Sequence, residues 1–273
     1  MPTTVDRDRA VALLGAEFGA LADLCSGLTA DQWELATCLP GWSVRDVLAH
    51  VVGTEAMLSG EPPPEVDISH LHHMRNPIAE SNEVWVESMR SLAGRAVLAR
   101  FKEVTGRRLA ALRSMTQADF DAPSWTPAGP DETYGRFMRI RHYDCFMHEH
   151  DIRAAVGAPP RAEVGGVRFS LDEVATGLGY IVGRRARLPD GSLVQIDLTG
   201  PLAVTYRVRV DGRAAVVDSF DRSPTVGIEL PAMLFLRLTG GRSDGSVDPG
   251  GEIVVRGDRE LGEQLVANLA FTI

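Results

Sequence analysis

The chain has 273 residues, 44% of them hydrophobic, with a formal net charge of −9. That length favours two domains, each large enough to bury a core, and the negative charge, with arginines scattered among acids, sets nucleic-acid binding aside. Three cysteines without a close pair exclude a disulfide framework, and no apolar stretch is long enough to span a bilayer.

The first predicted helix covers Val5 to Ser26, where Leu13, Leu14, Phe18, Leu21 and Leu24 recur at helical spacing. Gly27 closes it. The second follows the Leu39-Pro40-Gly41-Trp42 turn, because Ser43 with Asp46 three residues on makes a capping-box variant, and its body runs to about Leu58. Trp33 and Trp42 are read as core anchors. A Pro-rich break after Gly60 leads into a loop carrying His70, His72 and His73, whose histidines are read as solvated. A long helix or broken pair then runs from about Ile78 to Met115.

The fourth helix starts near Tyr134 and stops at Gly157, with Pro159 and Pro160 beyond. It holds the informative misfit. At about 100° per residue from Phe137, Asp144 falls near −20° and His148 near +20°, among Ile140, Cys145, Ile152 and Ala155. Both point to the core, where a carboxylate needs a cation or a proton. His142 and His150 project near 140° and −140° and are read as surface or supporting groups. Cys145 reads as packing.

After residue 160 the pattern changes. Ser170-Leu-Asp-Glu173 reads as a capping box opening a helix, and Val204, Tyr206, Val208 and Val210 alternate with Thr205, Arg207 and Arg209 as a strand. Asp211-Gly212 is a hairpin turn. Further strands are expected at Leu193–Leu198, Ala214–Asp218, Val226–Leu230 and Glu252–Arg256, with helices at Pro231–Leu238 and Arg259–Ala270. Residues 1–160 therefore read as a four-helix bundle and 161–273 as an α+β domain with a mainly antiparallel sheet.

Asp144 and His148, one turn apart, have the spacing of two ligands on one helix, and His50, the only histidine on the first two helices, is the candidate third. Two imidazoles and one carboxylate leave an open position on zinc, nickel, cobalt or iron. The spacing equally allows a buried pair of Asp144 with an arginine and satisfied core histidines. Asp151 and Glu55 could orient such ligands or form ion pairs of their own. No Gly-rich phosphate loop, Gly-x-Ser-x-Gly elbow or Cys-x-x-Cys pair occurs.

Leu28-Thr-Ala-Asp-Gln-Trp33, Leu39-Pro-Gly-Trp-Ser-Val-Arg-Asp-Val-Leu-Ala-His50 and His148-Glu-His-Asp-Ile152 together resemble the mycothiol-dependent maleylpyruvate isomerase family, within the DinB/YfiT-like metalloenzymes. The resemblance implies a DinB-like bundle followed by a sterol-carrier-like α+β domain. It also implies a divalent metal, zinc first and nickel or another ion next, on His50, Asp144 and His148, with mycothiol, a thiol of actinobacteria, as cosubstrate. Where the isomerase type has glutamate, this chain has Asp144, one methylene shorter. The implied chemistry is isomerisation or S-transfer on a small electrophile, and Arg141 or Arg242 is the candidate clamp for an acidic one. Metal-dependent hydrolysis and non-catalytic binding of an apolar ligand are the alternatives. The first ten residues lack an apolar segment, so the expected location is the cytoplasm.

Overall fold

A computed structural model describes residues 2–72, 74, 76–200, 202–242 and 250–272; His73 lies outside the described residues. Two compact units, Met1–Arg161 and Ala162–Ile273, are each built around their own core. Among the described residues, no helix is long and apolar enough to cross a membrane.

The first unit runs α1 (Arg7–Ser26), α2 (Ala30–Trp33), α3 (Val44–Leu58), α4 (Pro77–Met89), α5 (Gly94–Ser114), α6 (Gln117–Asp121), a hairpin of β1 (Pro123–Thr126) and β2 (Gly129–Thr133), then α7 (Tyr134–Val156). Helices α1, α3, α5 and α7 form the bundle, and α4 packs on α3. The apolar stripes explain this: Leu14 and Leu21, Val47 and Val51, Val97 and Phe101, Phe146 and Ile152 are all fully buried. The ring of Phe18 meets that of Phe101 edge-on at 6.0 Å.

The region expected from Ile78 to Met115 is a broken pair, α4 and α5. The break serves packing, because any side chain at Gly94 would enter the Trp33 indole. Trp33 is thus the expected core anchor. The β1–β2 hairpin departs from the sequence reading; its two short strands bury only Thr126 and Thr133 and carry no alternation of apolar and polar residues.

The second unit runs α8 (Val164–Tyr180) with a π-type turn at Ile181–Arg185, β3 (Leu193–Thr199), β4 (Val204–Asp211), β5 (Arg213–Val216), β6 (Val226–Pro231), α9 (Ala232–Thr239), β7 (Val254–Gly257) and α10 (Arg259–Ala267). The sheet order is β5-β4-β3-β6-β7, antiparallel except for the β3–β6 pair. The Asp211-Gly212 hairpin is present, with Gly212 at φ 65° as its turn requires. Ser170 corrects the sequence reading, since it does not cap a helix. The apolar row Val167, Leu171, Val174 and Leu178 begins before Ser170, and burial of that row carries the helix back to Val164.

Candidate metal centre

Two well-bounded helices present the site. Helix α3 opens on the capping box expected from the sequence, with the Ser43 side chain accepting from Asp46 N and Asp46 accepting from Ser43 N. Helix α7 is capped by the Thr133 side chain at its start and by Gly157 at φ 69° at its end. These ends fix the phase in which His50 leaves α3 and Asp144 and His148 leave α7.

One ligand atom from each of His50, Asp144 and His148 lies within 4.8 Å of the others, the only such group of three or more histidine, cysteine or acidic side chains found among the described residues. His50 Nε2 is 3.3 Å from Asp144 Oδ2, and His148 Nε2 is 3.4 Å from Asp144 Oδ1. A tetrahedral site with bonds of about 2.0–2.1 Å sets neighbouring ligand atoms about 3.3 Å apart. Each imidazole stands at about that separation from the carboxylate, His50 from Oδ2 and His148 from Oδ1, and two imidazoles with one carboxylate are donor types that zinc takes. The imidazoles are buried, while 30% of the Asp144 side chain stays exposed and leaves the site an opening.

The electrostatics favour ligation. Burial alone would raise the Asp144 carboxyl, but His148, Arg141 and His50 override it and hold the group well below the usual carboxylate range. Burial lowers His50, with Asp144 opposing only in part, which favours the neutral imidazole that a cation needs. Asp151, 1% exposed, places Oδ2 3.1 Å from His148 Nδ1. That contact holds the proton on Nδ1 and turns Nε2 toward the centre. Asp151 therefore takes the orienting role considered from the sequence.

Glu55 is instead the hub of buried ion pairs, with Arg141 Nε at 2.9 Å and Arg108 Nε at 3.2 Å. Arg141 is consequently no free clamp: it is buried, and its Nη1 also donates to Asp144 Oδ2 at 2.6 Å. Arg242 lies in the second unit, where its Nη1 donates to Gly240 O at 2.6 Å. His70 and His72 are exposed on the loop and stand apart from the centre. None of the three cysteines forms a disulfide, and burial raises the Cys145 thiol well above its ordinary range, which suits a packing role.

Two contributors escaped the sequence reading. Trp42 is not a core anchor; its ring lies 5.2 Å from that of His50 and 6.2 Å from that of His148. Its Nε1 donates to Glu83 Oε2 at 2.8 Å, and Glu83 pairs with Arg90, so the indole is held over both imidazoles. Cys38, exposed on the same turn, donates to Asp151 Oδ1 at 3.2 Å. Trp42 lies on an irregular turn, where helical periodicity gives no direction for its side chain.

His142 and His150 are also corrected: both are buried. Helix α7 packs against α1, α3, α6, β1 and β2, so its far side faces protein instead of water. His150 reaches Phe146 O at 2.7 Å and Arg161 O at 2.8 Å. Nearby, Glu149 pairs with Arg153 and Arg161, and Arg161 also binds Glu17. Burial, then the charge of Glu149, pushes the Glu17 carboxyl from 4.5 up to about 8.

The folded chain thus keeps a proton on Glu17 that the unfolded chain releases above pH 4.5, and stability falls as pH rises from there toward about 8. Burial lowers His142 from 6.5 to about 3 and acts in the opposite sense below pH 6.5. The range from pH 6.5 to 8 therefore isolates Glu17. Glu17→Gln is expected to flatten the loss of stability in urea titrations across that range. An undiminished slope would assign the effect to another group.

The description "Mycothiol maleylpyruvate isomerase N-terminal domain" matches residues 14–153, and "MDMPI C-terminal domain" matches residues 168–264. Two crystal structures of the mycothiol-dependent maleylpyruvate isomerase, one of them a point mutant, share the fold. At 15% and 14% identity each superposes with a TM-score of 0.60, covering 93% of this chain and 95% of the other. No curated protein matches the sequence. With one family domain spanning half of its length and the second following in order, this chain belongs to the mycothiol maleylpyruvate isomerase family.

Proposed function

We propose that the protein is a metal-dependent enzyme that uses a low-molecular-weight thiol, mycothiol, to isomerise or S-conjugate a small electrophile. In this reading residues 1–160 are a DinB-like metal-binding domain, residues 161–273 are a sterol-carrier-like domain, and His50, Asp144 and His148 hold the ion. The observation that carries it is the meeting of two imidazoles and one carboxylate from α3 and α7, with one ligand atom of each within 4.8 Å of the others. Family membership supplies the thiol.

Bound zinc supplies Lewis acidity that keeps a thiol sulfur as thiolate near neutral pH. The donor set carries one negative charge, on Asp144, so a dication keeps net positive charge that favours one anionic sulfur. Asp151 fixes the His148 tautomer, and Trp42 keeps water from one side of both rings. Addition of the thiolate to one end of a conjugated cis double bond leaves a single bond free to rotate. The negative charge passes to the conjugated carbonyl as an enolate; expelling the same thiolate from it gives the trans isomer, whereas a proton taken from water onto the carbanionic carbon, with the C–S bond kept, gives a conjugate.

Thermal unfolding of the zinc-loaded chain with mycothiol, glutathione or cysteine tests this. Mycothiol at about 100 times its Kd is expected to add about 2.7 kcal/mol, and the other thiols much less. An ion retained with no preference among thiols would contradict the thiol assignment and favour a metal-dependent hydrolase.

A further inference from the structure

Asp144 is held by more than the two imidazoles. Its Oδ2 accepts from Arg141 Nη1 at 2.6 Å and also lies 3.3 Å from His50 Nε2, whereas Oδ1 lies 3.4 Å from His148 Nε2. Arg141 sits one turn earlier on α7 and is itself fixed, because its Nε donates to Glu55 Oε1 at 2.9 Å. The other Glu55 oxygen takes Arg108 Nε at 3.2 Å, and Arg108 Nη2 donates to the Tyr134 hydroxyl at 2.6 Å. Asp144, Arg141, Glu55 and Arg108 thus alternate in sign and cancel in charge.

A guanidinium is a rigid planar fork, so it selects which carboxylate oxygen it binds and in what plane, which a point charge does not. Turning Asp144 to bring both oxygens onto one ion would break the 2.6 Å bond and strand a buried donor. Resting on the metal reading above, the geometry points to Arg141, braced by Glu55, as a positioning residue that keeps Oδ2 occupied and offers Oδ1 alone to the ion. The carboxylate then ligates through one oxygen. The fork also restrains a side chain whose short reach leaves it few other ways to meet the ion.

The test uses the full chain loaded with cobalt(II), read by X-ray absorption and by its visible bands. The intact protein is expected to show one carboxylate oxygen at bonding distance and the strong bands of a four-coordinate ion. Arg141→Met is expected to weaken those bands as the second oxygen joins, and to lower affinity by about 10–100-fold in chelator competition. Arg141→Lys, which keeps the charge without the fork, is expected to leave the bands weakened as well.

Two carboxylate oxygens on the ion in the intact protein would overturn the inference without recourse to any variant. So would Arg141→Met binding as tightly as the intact chain with unchanged bands, since Arg141 would then be merely a neighbouring cation. Full recovery of the bands by Arg141→Lys would assign the effect to charge alone. Failure of the intact protein to take up cobalt would overturn the metal reading itself and this inference with it.

Discussion

Replacing His50 with alanine is expected to weaken retention of a divalent ion by more than about 100-fold, beyond the range typical of outer-shell losses, with little change in the stability of the metal-free chain. The ring makes this the cleaner of the two histidine variants. His50 Nε2 faces Asp144, and its Nδ1 has no hydrogen-bond partner, so truncation removes a ligand without stranding a donor. His148→Ala is expected to cost as much in affinity and more in stability. It takes away a group that Asp151, 1% exposed, holds at 3.1 Å. Chelator competition gives the affinities and urea unfolding in chelator gives the stabilities. Retention of a full equivalent by either variant would remove that residue from the ligand set.

Glu55→Ala is expected to destabilise the first unit by about 3–5 kcal/mol, because it leaves two buried guanidinium groups without their shared carboxylate. Glu55 is fully buried, and Arg108 and Arg141 are 5% and 4% exposed, so water cannot replace the lost partner without opening the bundle. Glu55→Gln keeps the shape and one acceptor and should lose less. Urea unfolding in chelator measures this apart from metal. A loss below about 1 kcal/mol for Glu55→Ala, the range of exposed pairs, would show that the pairs are screened by water.

The sequence makes the architecture legible wherever a local rule and the tertiary packing agree. Ser43 with Asp46, Gly157, and Asp211-Gly212 each satisfy backbone groups locally, and each marks an element end in the structure. Ser170-Leu-Asp-Glu173 satisfies the same rule on paper, yet the buried row Val167, Leu171 and Val174 prevails and the helix runs through it. Local capping is worth about 1 kcal/mol, less than burying two or three aliphatic side chains.

Helical projection likewise brings out Asp144 and His148, because polar residues on an apolar face conflict with burial. It failed for His142 and His150, since projection gives a direction on the helix and not what lies in that direction. Around α7 that is protein on several sides. Trp42 and Cys38 reach the centre from a turn whose path depends on the bridge between Ala36 and Ser43 and on Gly41 at φ 81°. Periodicity carries no information about such a turn. Nor could it show that Arg141 and Asp144, one turn apart, share a buried charge chain with Glu55 on another helix.

Elemental analysis of the full chain, purified without a histidine tag and dialysed against zinc, bears most directly on the convergence of His50, Asp144 and His148 on one cation. One tightly held ion per chain is expected, the number that the single group of donors among the described residues provides for, and it should be lost in His50→Ala and His148→Ala alike. A chain that retains no ion, or retains it undiminished in both variants, would contradict the account.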